Sequence, residues 1–171
     1  FMKNIFILFI FFFFSSYDQF KEVTNDLSIP TETYSVDYNR TWKAVIELVT
    51  QANFPILEQN QEAGVIKTRW SDNTTEVNFA DSFGSTDRIK AAQFKLTINV
   101  AKGFRLNQEV TQVSIIKRQL IENDFLQGFK EITSDQIQEK TLLYRLSRII
   151  SIDKQLEKID EAKQQEQLNN F

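Results

Sequence analysis

The stretch Gln93-Phe94-Lys95-Leu96-Thr97-Ile98-Asn99-Val100 decides the fold. Phe94, Leu96, Ile98 and Val100 alternate with Gln93, Lys95, Thr97 and Asn99, the period-2 pattern of a strand in an antiparallel sheet with one wet face. Gly103 and Asn107 mark a turn after it, and a partner strand follows over about Glu109 to Ile121 with Val113 and Ile115 facing in. Upstream, Ile56 to Glu58 and Val65 to Trp70 read as two more strands around the polar connection Gln59 to Gly64. Gly64 can take the positive φ that such a turn needs. Alternation places Ile66, Thr68 and Trp70 on one face and Val65, Lys67 and Arg69 on the other. Thr33 to Val36 is a further short strand, with Tyr34 and Val36 as its apolar positions.

Two helices bracket these strands. Asp37 is placed to cap the first. Trp42, Val45, Ile46 and Val49 stand at i, i+3, i+4 and i+7, one apolar stripe, and Pro55 ends the element because the residue before proline avoids helical geometry. The second helix opens at Ser134-Asp135, where Asp135 and Gln138 have capping-box spacing. Leu142, Leu146, Ile149 and Ile150 form its stripe, and it extends to about Ile159. An antiparallel sheet that wets one face must cover the other, so both helices belong on the same side. The expectation is an α+β fold in β-α-β-β-β-α order, helix-grip-like, with the sheet curled around the long C-terminal helix. Trp42, Trp70, Phe94 and Leu146 then either fill the core or line an apolar cavity between sheet and helix; close packing is the default.

Between Ser71 and Ala92 the connection is long for a compact domain, and such loops are functional or hide short structure. Thr75 to Phe79 has the alternation of one extra short strand. Phe79, Phe83 and Ile89 in this loop, with Phe125 and Phe129 around Gly128 in the next, are the candidate interaction residues.

The 171 residues contain no Cys and no His. That removes disulfides, thiolate nucleophiles, Cys-ligated metal centres and the usual neutral-pH general base. With 20 Lys and Arg against 23 Asp and Glu, the net charge is −3, which argues against a nucleic-acid partner. Lys117-Arg118, and Arg145 with Arg148, read as parts of a solvated face. Four glycines supply no P-loop and no nucleotide-binding or nucleophile-elbow motif. Asp81 and Asp87 flanking Gly84 are a weak metal signal, and Glu122 and Asp124 read as surface carboxylates. The expectation is therefore a non-enzymatic protein without metal or cofactor.

The N-terminus carries a different signal. Lys3 precedes Ile5 to Phe14, an apolar run of about ten residues, the length of a secretory h-region and too short to span a bilayer. Phe14-Ser15-Ser16-Tyr17 has the form of a lipobox, except that Tyr17 stands where lipid attachment requires Cys. The chain divides into an export leader over 1–17, a polar tether over 18–32, a single domain over 33–160, and a Gln- and Glu-rich tail over 161–171 that is expected to fray or be disordered.

Within the domain, Trp42-x-x-x-Ile46, Phe54-Pro55-Ile56 and Gly64-Val65-Ile66-Lys67-Thr68-Arg69-Trp70 resemble the BamC-like (NlpB) domains of bacterial envelope lipoproteins. The closing Leu142-Leu143-Tyr144-Arg145-Leu146 fits the same order, and the resemblance covers about Tyr34 to Ile152. These residues determine a fold and carry no catalytic signature. The resemblance implies an exported, membrane-tethered, non-enzymatic accessory protein on the periplasmic face of a membrane, the outer membrane by preference. Its partners would be envelope proteins, including the machinery that assembles outer-membrane β-barrels. Helix-grip folds can also hold a lipid or other apolar ligand between sheet and C-terminal helix, which is the alternative reading.

Overall fold

The computed structural model describes residues 28–81, 89–123 and 126–169. The leader over 1–17, most of the tether, Phe83, Asp87, Asp124 and Phe125 lie outside the described residues. The elements run β1 (Thr31–Tyr34), α1 (Tyr38–Gln51), β2 (Ile56–Asn60), β3 (Val65–Thr68), β4 (Ser71–Asp72), α2 (Thr74–Asp81), β5 (Ala91–Arg105), β6 (Gln108–Glu122), β7 (Lys130–Ile132) and α3 (Ile137–Asn169). The fold is α+β, an antiparallel sheet with the long C-terminal helix packed on it.

The sheet order is β1-β6-β5-β3-β2, with β4 beside β5 and β7 beside β6. β5 and β6 form its spine, each 15 residues long and paired along their whole length. Their turn is Leu106-Asn107, both at positive φ (51° and 61°), the backbone that a two-residue hairpin needs. Gly103 therefore lies inside β5, opposite Val110, and does not begin the turn. β1 and β7 flank β6 at opposite ends, β1 along Thr111–Ser114 and β7 along Gln119–Ile121. They act as one strand in two pieces, and α3 starts beside the gap between them.

The inner face of the sheet is apolar where expected. Phe94, Leu96, Ile98, Val100, Val113 and Ile115 are buried against Trp42, Val45, Leu48 and Val49 of α1 and Leu142, Leu143, Leu146 and Ile150 of α3. Asp37 caps α1 by accepting a hydrogen bond from the Arg40 N–H at 3.0 Å. The other end closes in a Schellman geometry. Asn53 adopts φ 54°, its N–H reaches Thr50 O, and the Phe54 N–H reaches Val49 O. This turn swings the chain into Pro55 and β2.

Four expectations need correction. Thr75 to Phe79 is part of the helix α2, not a strand. Asp72 accepts from both the backbone N–H and the hydroxyl of Thr74, and the Val77 N–H closes a helical turn on Asn73 O. Those local bonds outcompete a weak alternation. The capping box at Asp135 does not form. Asp135 accepts from the Ile137 N–H, Gln136 takes φ 63°, and the Gln138 side chain points elsewhere. The tail is helical to Asn169, so α3 has 33 residues and a length of about 50 Å. Finally, Trp70 is not on the face of Ile66 and Thr68. Lys67 pairs with Thr97 but Ser71 pairs with Phe94, so one extra residue is inserted between β3 and β4. A one-residue shift sends every later side chain to the opposite face. At this break the Thr68 hydroxyl replaces a backbone carbonyl, accepting from the Leu96 N–H at 2.9 Å.

Candidate functional site

The inner row of β6 changes character along its length. Val113 and Ile115 are fully buried and apolar, but the next two positions of the same row are Lys117 and Gln119. Here the sheet and α3 no longer close on a hydrophobic core. They leave an open cleft of about 700 Å³. Its far wall is the first three turns of α3, where Gln138, Thr141, Leu142 and Arg145 fall on one side of the helix. Its ends are the α1 turn at Asn53-Phe54 and the β4–α2 corner at Asp72, Asn73, Glu76 and Val77.

The chemistry of this lining is mixed and partly unsatisfied. Asn73 is only 5 % exposed, held by its backbone N–H on Ala92 O, and its side-chain oxygen has no hydrogen-bond partner. The Gln138 side-chain oxygen is buried in the same condition. An unpaired buried polar atom of this kind costs about 1–3 kcal/mol. The Lys117 ammonium lies over the Phe94 ring, 5.4 Å from its centroid. Phe94 and Phe54 meet edge to face at 5.6 Å. On the rim, the Thr74 hydroxyl and N–H hold the Asp72 carboxyl below its ordinary range, so it stays charged. Lys117 also borders a smaller cavity of about 390 Å³ at the gap between β1 and β7. There Glu139 is 2 % exposed and its Oε2 has no partner.

The other sequence candidates are distributed as follows. Trp42, Phe94 and Leu146 belong to the packed core, and the edge of Phe94 reaches the cleft. Trp70 is 39 % exposed on the outer face, with the Lys95 ammonium 4.9 Å from its ring centroid. Ile89 is buried, so it is not an exposed loop residue, whereas Phe129 is 47 % exposed. Phe83, Phe125 and the side chain of Phe79 are outside the described residues. Lys117 and Arg118 do not share a solvated face. Arg118 points outward and makes a bidentate ion pair with Glu131 at 2.7 and 2.8 Å, while Lys117 points inward. Glu122, expected at the surface, is buried at the end of β6. Among the described residues no three His, Cys, Asp or Glu side chains are grouped to hold a metal ion.

Sequence reasoning missed Lys117, which reads with Arg118 as a solvated face, and Gln119; the signal that marks both is the alternation of Val113 and Ile115, which lands on them when continued by two steps. Gln138 lies one turn before Leu142 on its stripe. Asn73 has no comparable signal, since its burial depends on the β4–α2 corner.

Fold and site together define an α+β, helix-grip-like module, closed by a packed core at one end and opened at the other by a cleft of mixed polar and apolar lining. No protein-family model matches the chain, and no curated protein matches it.

Proposed function

We propose that this chain is a non-enzymatic accessory protein of the bacterial envelope. In this reading it is exported by its 1–17 leader, held at the periplasmic face of the outer membrane, and acts by binding envelope proteins, among them the β-barrel assembly machinery. The observation that carries the binding role is the one-sided sheet. α1 and α3 pack on its inner face, while the outer row Gln93, Lys95, Thr97 and Asn99 is only half-buried. A sheet with one unpartnered face and a 33-residue helix projecting from it offers large surfaces and an uncommitted cleft. The Lys3 and Ile5-to-Phe14 leader supports export, and the resemblance over Tyr34 to Ile152 supports the envelope assignment. The lipid-carrier alternative has less support, because Trp42, Phe94 and Leu146 pack into the core and the cleft beside them carries charged side chains, among them Asp72, Glu76, Lys117 and Arg145, beside its apolar ones.

The test is affinity purification of the tagged chain from envelope extracts, with deletion of its gene in parallel. Recovery of barrel-assembly components and increased outer-membrane permeability are expected. Recovery of no envelope protein, together with unchanged growth and permeability, refutes the reading.

A further inference from the structure

We propose that the tip of the β5–β6 hairpin, Phe104 and Leu106, inserts into the surface of a phospholipid bilayer. The proposal goes beyond the accessory reading: it gives the folded domain a membrane contact of its own, and it stands whether or not envelope proteins bind.

The hairpin outruns the rest of the sheet. The pairing of β1 with β6 ends at Thr111, and the pairing of β3 with β5 ends at Asn99. The last backbone bond on the β3 side runs from the Val100 N–H to Gly64 O. Beyond the Lys102–Thr111 pair, Gly103 to Leu106 and Asn107 to Val110 pair only with each other. Four residues on each strand carry the tip about 13 Å past that pair. Phe104 continues the inward row of Phe94, Leu96, Ile98 and Val100. It lies beyond Lys102, whose ammonium sits 4.8 Å from the ring centroid of Tyr38, the first residue of α1. With no helix over it, Phe104 is 80 % exposed, and Leu106 in the turn is 93 % exposed.

Backbone and shape select a bilayer, and the charge agrees with it. Leu106 is held at φ 51°, in the left-handed region where Asn or Gly suits a two-residue turn and a bulky side chain is out of place. Such a residue weakens the hairpin; what it supplies instead is an apolar point in solvent. The tip is also narrow and convex. A Phe side chain buries about 150–250 Å², so the pair falls well short of the about 1,000 Å² that a stable protein interface takes. A bilayer accepts apolar side chains singly, at a depth of about 5–10 Å. That depth is less than the reach of the ribbon. The sheet then stays in water, and the unpaired edges of the ribbon stay at the headgroups, where water satisfies them. Residues 101–110 carry Lys102 and Arg105 against Glu109 alone, and among the described residues neither cation is in an ion pair. Arg105 adjoins the tip and Lys102 stands at the root, so both face the phosphates of the headgroups as the tip enters.

The chain has no Cys, so a single introduced thiol gives a unique label. Gln108→Cys, exposed beside the turn, carries an NBD fluorophore, and Gln51→Cys at the end of α1 carries it in the reference. The full chain is reconstituted in vesicles of phosphatidylcholine and phosphatidylglycerol, with and without an acyl-chain nitroxide lipid as quencher. Quenching at least about twofold is expected at position 108, with little at position 51. Leu106→Asn in the Gln108→Cys chain should reduce the quenching and raise the urea midpoint, because Asn tolerates the left-handed backbone. A purely structural role for Leu106 would not move these two readouts in opposite directions. Adding Phe104→Ser should bring the quenching down to the reference level. Urea unfolding checks each labelled chain, and Glu109→Cys is the second labelling position if Gln108→Cys does not fold. Equal quenching at positions 108 and 51 overturns the proposal, as does unchanged quenching in the double variant. An emission shifted to the blue but not quenched by lipid also overturns it, since the tip then lies on protein.

Discussion

Gly64 and Gly128 have nearly the same backbone conformation, φ 67° and 69°, in different surroundings. Replacing each by Ala therefore separates the cost of the conformation from the cost of close approach. A Cβ at Gly64 would stand 2.1 Å from the Val100 carbonyl oxygen, 3.2 Å from its carbon and 3.3 Å from the Tyr38 hydroxyl. Ordinary contact needs about 3.5 Å, so the turn would have to retreat from β5 by more than an ångström. That retreat breaks the 2.7 Å hydrogen bond from the Val100 N–H to Gly64 O. The left-handed conformation costs about 1–2 kcal/mol for Ala, the lost bond about 1 and the overpacking about 1–3. Gly64→Ala should thus destabilise by about 3–6 kcal/mol. At Gly128 a Cβ meets nothing within 4 Å, so Gly128→Ala should cost only the conformational part, about 1–2 kcal/mol. Urea unfolding followed by far-ultraviolet circular dichroism measures both. In thermal melts the drop should be about 10 °C or more for Gly64→Ala and about 4–6 °C for Gly128→Ala. Equal destabilisation would refute the reasoning, because it would mean that the contact between Gly64 and Val100 carries none of the effect.

Three further outcomes follow from the packing. Trp42→Ala should cost about 3–5 kcal/mol in urea unfolding because that side chain is 6 % exposed, while Trp70→Ala should cost about 1 or less; a large effect at Trp70 would contradict the inserted residue before β4. Asp37→Ala should remove about 1 kcal/mol by unpairing the Arg40 N–H, and Asp37→Asn should restore most of it. Burial, with a smaller contribution from Glu32, pushes the Tyr34 phenol up to about 12, against the opposing hydrogen bond of Ser147. An unfolded tyrosine ionises near 10, so this stabilisation is complete below pH 10 and is lost as pH rises from about 10 to 12, on the order of 2 kcal/mol in all. Tyr34→Phe should flatten that alkaline decline in urea midpoints measured between pH 8 and 11.5, and an unchanged slope would show that Tyr34 is not its source.

The sequence by itself determined whatever depends on near neighbours. The alternation from Phe94 to Val100, the stripe from Trp42 to Val49, the Asp37 cap and the positive φ of Gly64 are each settled within a few residues, and all are present in the fold. Lys117 and Gln119 continue the inward row of Val113 and Ile115, although the pair Lys117-Arg118 taken by itself reads as a solvated face. What only the tertiary structure decided are features set by contacts between distant segments. The inserted residue before Ser71 exists only relative to β5, so the side on which Trp70 emerges could not be read from β3 alone. The helix at Thr74 depends on Asn73 being held by Ala92, 19 positions away. The cleft is the clearest case. Asn73 comes from the β4–α2 corner, Lys117 from β6, and Gln138 and Arg145 from α3, and they line one cleft only because α3 packs across the end of the sheet where its inner face turns polar.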